Sequence, residues 1–236
     1  MKLILVALSL AAMLGACRNE SASAEATKPT VHVLTSLPLL FEEGFGVAPA
    51  KGQAANFLRE RYRLRPIDLP SQLPTGGVLL AAQPRALPSE ELVALDSWVR
   101  EGGKLLLLAD PMLEWPSQRP IGDRLRPPIH YADTGLLQHW GLRLDAPDKR
   151  GVKPVTYDGF ELVFWSPGKL VKESGGCMVE PDGRAAVCLL GKGRAMVVAD
   201  ADLLNQEVIA RNLGRKVDNI DLVGMQLDLM SGRAPR

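Results

Sequence analysis

The sequence predicts an α/β protein, a three-layer sandwich built on a mostly parallel sheet with a small antiparallel β-hairpin insertion. Three observations carry this reading. Val78-Leu79-Leu80-Ala81-Ala82 and Leu105-Leu106-Leu107-Leu108-Ala109 are unbroken apolar runs, as expected of strands covered on both faces. The segment between them has helical period, which is the spacing of a βαβ unit. A third apolar run, Ala195-Met196-Val197-Val198-Ala199, follows a stretch from about 152 to 190 that alternates and carries hairpin signals.

Taken in order, Val31 to Thr35 is a short β-branched strand, and Gly- and Pro-rich loop follows to Lys51. Gln53 to Tyr62 reads as a helix with Ala54, Phe57 and Leu58 on one face. Arg63 to Leu69 is a strand of modest hydrophobicity, suited to a sheet edge. After the run at Val78, Ser89 is expected to cap a helix with Glu90 and Glu91 in its first turn, where the macrodipole favours them. Leu92, Leu95, Trp98 and Val99 form its buried stripe, and Gly102-Gly103 stops it. Pro111 to Pro128 holds five prolines and is a long loop. Thr134 to Trp140 is a short helix and Leu142 to Leu144 a strand. Leu203 to Asn212 is helical, and a last helix begins at Asp218 or Asn219 with Ile220, Val223, Leu227 and Met230 on one face.

The N-terminus opens MKLILVALSL AAMLGAC. Lys2 followed by an apolar run too short to span a bilayer reads as a signal peptide over residues 1–16. Leu14-Gly15-Ala16-Cys17 resembles the bacterial lipobox, which implies cleavage before Cys17 and acylation of that residue. An ordinary signal peptide with a chance cysteine, or a short membrane anchor, stays open. Residues 17–30, rich in Ser, Ala, Glu and Thr, read as a tether, leaving a single α/β domain over 31–236. Two acyl chains suffice for stable anchoring to a membrane. Arg18 stands where aspartate would be the inner-membrane retention signal in many bacteria, so the resemblance leans to a periplasm-facing lipoprotein of the outer membrane.

The chain carries 28 Lys and Arg against 27 Asp and Glu. That balance offers no footprint for nucleic acid. Beyond Cys17 only Cys177 and Cys188 remain, flanking Asp182-Gly183. A two-residue turn at Asp182-Gly183 places the cysteines opposite one another and allows a cross-strand disulfide. A type I turn with a glycine bulge at Pro181-Asp182-Gly183 would shift the register and leave two unpaired thiols; the Cys177–Cys188 disulfide is the expected arrangement.

Open parallel sheets bind ligands at the carboxyl ends of their strands. Those ends carry Ser36, Gln83, Asp110, Asp200 and Asp202, with Arg85 close by, and these six are the ligand-binding candidates. Three carboxylates could hold a hard cation or act as acid and base. Asp after a strand also often caps the next turn, and Asp200 and Asp202 are expected to cap the helix after them. No Gly-x-Ser-x-Gly or Gly-x-Cys-x-Gly elbow follows a strand. Gly191-Lys192-Gly193-Arg194 enters a strand, whereas a phosphate cradle opens a helix. His32, His130 and His139 stand apart from metal-ligand spacing. Trp115, Trp140 and Trp165 could stack on a sugar ring or serve as core or rim residues. No catalytic residue, metal or cofactor is assigned.

Leu79-Leu80-Ala81-Ala82-Gln83-Pro84, the helix to Gly102-Gly103, and Leu105 through Asp110-Pro111 resemble the core of a GldG-like family, extracytoplasmic auxiliary proteins encoded with ABC transporters. Gly191 through Asn205 is similar to that family's closing strand and turn. The resemblance implies a fold like that of class I glutamine amidotransferases or flavodoxin. It argues against amidotransferase activity, because Asp110-Pro111 stands where those enzymes keep their cysteine, and Pro111 has no N–H for an oxyanion hole. The chain departs from longer family members by lacking transmembrane helices, which a lipid at Cys17 would replace. The expected function is that of a non-catalytic, lipid-anchored auxiliary or binding protein that meets the membrane subunits of an ABC transporter. Two alternatives stay open: an envelope hydrolase, with glycan as a candidate substrate, using Asp110 and Asp200, and a purely structural scaffold.

Overall fold

A computed structural model describes residues 28–44, 48–157, 159–214 and 216–234. The signal segment and Cys17 lie outside the described residues. The central sheet has seven strands: β1 (Thr30–Thr35), β2 (Arg63–Pro66), β3 (Val78–Ala82), β4 (Lys104–Leu108), β9 (Cys177–Val179), β10 (Ala185–Leu190) and β11 (Gly193–Val198). Their order is β2-β1-β3-β4-β11-β10-β9, and the first five run parallel. The order reverses between β1 and β3. β2, weakly apolar, is the edge strand its sequence suits.

The apolar runs are continuous because both faces of the sheet are covered. Val31, Val33, Leu80, Leu106 and Val198 pack beneath α1 (Gln53–Arg61) and α5 (Asn219–Ser231), which bring Leu58, Ile220, Val223 and Leu227. Leu79, Ala81, Leu105, Leu107 and Val197 face the other way, onto Leu95, Trp98 and Val99 of α2 (Ser89–Arg100) and Leu137 of the single turn α3 (Leu136–His139). Each fully buried Leu contributes roughly 1.5–3 kcal/mol, so the parallel strands anchor the fold. Among the described residues no helix is long and apolar enough to cross a membrane.

The interval 152–190 splits three ways. β6 (Val152–Tyr157) and β7 (Phe160–Trp165) form their own antiparallel pair. β8 (Lys169–Lys172) pairs with β5 (Leu142–Asp145). β9 and β10 extend the central sheet as antiparallel strands. Cys177 stands opposite Cys188 and the two are disulfide-bonded. The turn combines both sequence alternatives. Gly183 N–H donates to the Glu180 carbonyl and Gly183 has φ 74°, as in a type I turn followed by a left-handed glycine. The loop nevertheless holds Pro181 to Arg184, four residues, so the register of a two-residue turn is preserved.

Two expectations are corrected at helix starts. Ser89 is the first helical residue of α2 and does not cap it. Pro88, in extended conformation, is the N-cap, and its carbonyl accepts the Glu91 and Leu92 N–H groups. The helix expected over 203–212 is broken: a 3-10 turn (Asp202–Leu204) precedes α4 (Gln206–Leu213), with Asn205 as the joint.

Candidate functional site

The carboxyl edge of the sheet brings most of the six candidates together, in two groups. The first is buried. Asp110 follows β4, and Asp200 and Asp202 follow β11, its parallel neighbour, so the register alone makes them adjacent. One oxygen from each lies within 4.8 Å of the others. Their exposures are 0, 0 and 3 %. Asp110 Oδ1 accepts the Met112 N–H (2.7 Å), and its Oδ2 accepts those of Ala201 (3.0 Å) and Asp202 (3.4 Å). Asp200 accepts from Trp165 (2.7 Å) and Leu203 (3.1 Å). Asp202 accepts from Glu114 (2.6 Å). Asp200 thus caps the turn after it as its sequence position suggests, while Asp202 caps the loop after β4 instead of its own helix.

The electrostatics follow from burial. Removal from water pushes the Asp110 carboxyl up to about 6; its N–H donors oppose the rise and the Glu114 charge adds to it. Burial, then the neighbouring Asp110, pushes Asp202 up to about 8. Asp200 lies well above the carboxylate range through burial and its two acidic neighbours. Such a set has the donor chemistry of a hard-cation site. Here every member is engaged by backbone N–H groups and none lines an open surface.

Gln83 belongs to this buried group. With φ 44° it turns its side chain back along the strand ends, donating to the Asp110 (3.0 Å) and Pro128 (3.1 Å) carbonyls and accepting the Asp110 N–H (2.9 Å). Ser36 Oγ donates to the Gln83 carbonyl at 2.5 Å. The amide therefore closes the β3–β4 edge and holds down the proline-rich loop.

The second group is open. Ser36 and Arg85 line a crevice of about 390 Å³ at the ends of β1 and β2, with Thr35, Asp68 and Arg119. It lies beside the reversal of strand order. A larger crevice of about 670 Å³ opens between the loops after β1, β4 and β11, lined by Trp115, Gln118, Gln53 and Asn205 among others. These last residues follow no motif, and only Trp115 was marked by its type. The other tryptophans are elsewhere: Trp140 is in the core with its Nε1–H on Asp96 (2.8 Å), and Trp165 packs beside Val163 and Ile209. The histidines remain apart. His130 Nδ1 lies 2.6 Å from the Pro111 carbonyl, and His139 Nε2 lies 3.6 Å from Asp96.

A family model described as an ABC-type uncharacterized transport system matches residues 28–148, which run from before β1 through the proline-rich loop to just after β5. Among curated proteins nothing matches. Similar solved structures include an exo-β-1,4-mannosidase from an Opitutaceae bacterium, strain TAV5 (16 % identity, TM-score 0.49, 87 % of this chain and 35 % of that one). A GH42 β-galactosidase catalytic mutant from G. stearothermophilus gives 13 % identity, TM-score 0.44, and 80 % and 30 % coverage. A cytoplasmic protein of Salmonella typhimurium gives 10 % identity, TM-score 0.48, and 88 % and 100 %. The chain spans about a third of the length of the two glycosidases.

Proposed function

Because the chain belongs to the family of ABC-type uncharacterized transport systems, as an auxiliary component, we propose that it works as a non-catalytic, lipid-anchored envelope protein docking on the membrane subunits of such a transporter. The observation that carries the non-catalytic part is the state of the three strand-end aspartates. They are sealed from solvent and engaged by backbone N–H groups that join β4, β7 and β11. That is the bonding of a structural clasp. A hydrolytic pair needs two carboxyl groups in an open cleft with room for substrate.

The surface for the partner is the proline-rich loop at the same edge. Ile121 and Leu125 are 86 and 63 % exposed at its tip, beside the exposed Arg124. The loop has no secondary structure of its own, yet it is fixed at its base by the Leu113 N–H on the Ile129 carbonyl and by Gln83 on Pro128. A held loop with apolar tips and arginines suits an apolar patch rimmed by acidic groups. Strand-order reversal between β1 and β3 is the pattern of flavodoxin-like sheets, which supports the fold that the sequence resemblance implies.

Detergent solubilisation of membranes, capture of the full chain and identification of co-purifying proteins by mass tests the reading. Transporter membrane subunits are expected; recovery of this chain alone would overturn it. The anchor is tested separately by Cys17→Ser, which should abolish fatty-acid labelling and release the protein from the membrane fraction.

A further inference from the structure

The larger crevice is made by three loops that the fold brings over one edge. Its chemistry is distinctive in what is left uncommitted. The charged groups each hold one partner: Glu42 pairs with Lys51 (3.0 Å), Glu43 Oε2 accepts the Gln118 N–H (2.9 Å) while its Oε1 is buried without a partner, and Glu207 Oε1 accepts the Gln53 N–H (2.9 Å). Among the described residues, the carboxamides of Gln53, Gln118 and Asn205 and the indole N–H of Trp115 have no hydrogen-bond partner. Trp115 is half-buried, its body packed on the core below while the crevice opens above.

We propose that this crevice binds a neutral saccharide. An aromatic plane with a donor at its rim supplies an apolar platform and a polar contact together. Carboxamides both donate and accept, which matches hydroxyl groups that do the same. A volume of 670 Å³ lies within the range of small-molecule sites and the crevice stands at the carboxyl ends of parallel strands, where such sites occur. Three glutamates against one lysine in its walls disfavour an acidic sugar. The crevice binds its sugar whether or not the chain docks on a transporter, and binding is read on the purified chain alone.

Saturation-transfer NMR on the full chain, in a zwitterionic detergent without sugar headgroups, tests this. The probes are the methyl glycosides of glucose, galactose, mannose and N-acetylglucosamine, with glucuronate as the acidic control. Transfer to at least one neutral glycoside is expected, with little to glucuronate. Trp115→Ala should weaken affinity about tenfold, and Gln118→Ala, at an exposed position, should weaken it without touching the fold. Trp115→Phe should retain part of the binding, because the platform remains. If Trp115→Ala fails to fold, Gln118→Ala decides. Absence of transfer to every neutral glycoside, preference for glucuronate, or undiminished binding by both variants would overturn the proposal.

Discussion

Asp110 and Asp202 cap one another's strand ends. Asp110 Oδ2 accepts the N–H groups of Ala201 and Asp202, after β11, while Asp202 Oδ2 accepts the N–H of Glu114, after β4. Parallel neighbours finish side by side, so each exit loop leaves N–H groups that the other can satisfy. The reciprocal bonds fix where both loops depart from the sheet. They also place acidic groups against one another in a buried space, which has a measurable consequence.

That consequence is a pH dependence. In the unfolded chain these carboxyls ionise near pH 4, whereas in the fold Asp110 does so at about 6 and Asp202 at about 8. The fold therefore retains protons that the unfolded chain has released. Their contribution is whole at the acid end and is lost as pH rises from about 4 to about 8. Urea denaturation between about pH 5 and about pH 8 should show this fall. Asp202→Asn keeps an acceptor for the Glu114 N–H and removes the charge, so it should flatten the profile. Parallel profiles for the two proteins would contradict the assignment.

The disulfide offers a second measurement. Cys177 and Cys188 are 1 and 0 % exposed and close a loop of sequence separation 11. A loop of that length contributes about 3 kcal/mol through the unfolded chain. The double variant Cys177→Ala, Cys188→Ala should lose roughly that amount in denaturant. The intact protein should resist dithiothreitol until it unfolds, because both cysteines are buried in the same apolar cluster as Trp140 and Leu190. Rapid reduction under native conditions would show an open edge.

A third concerns a residue with no sequence signal. Asp228 on α5 is fully buried, pairs with Arg61 and accepts the Tyr62 hydroxyl at 3.0 Å. The same hydroxyl lies 2.9 Å from the Gly224 carbonyl. Asp228→Ala strands both partners and should cost roughly 3 kcal/mol. Tyr62→Phe removes a neutral hydroxyl and should cost about 1 kcal/mol. Thermal or urea melts give the order, and an equal or reversed order would show that the carboxylate is not the hub.

Asp228 also shows where sequence reasoning stops. β3, β4 and β11 were legible because burial on both faces leaves an unbroken apolar run, and the Ile220, Val223, Leu227 stripe of α5 because helical period survives in a single segment. Asp228 follows Leu227, on what reads as a solvated face; its partner Tyr62 is 166 residues away. The strand-end aspartates were legible by position, but their bonds to neighbouring loops depend on register. Trp115 could be marked by type, whereas Gln53, Gln118 and Asn205 meet only because three loops converge. Ser89 misled by one position because Pro88 already supplied the extended N-cap.

The proposed docking loop can be tested apart from the fold. Ile121 and Leu125 are largely solvent-facing, and neither belongs to a buried cluster among the described residues. Substituting a charge there should change folding stability by no more than about 0.5 kcal/mol. A partner that buries both side chains must instead desolvate the new carboxylates, at a cost of several kcal/mol. Ile121→Asp with Leu125→Glu should therefore abolish co-purification of transporter subunits while leaving the melting curve in place. Arg124→Glu should weaken capture less, and more at low salt than at high salt, because a rim charge acts through screened attraction. Capture of the partner by the double variant at the wild-type level would place the contact elsewhere on the domain.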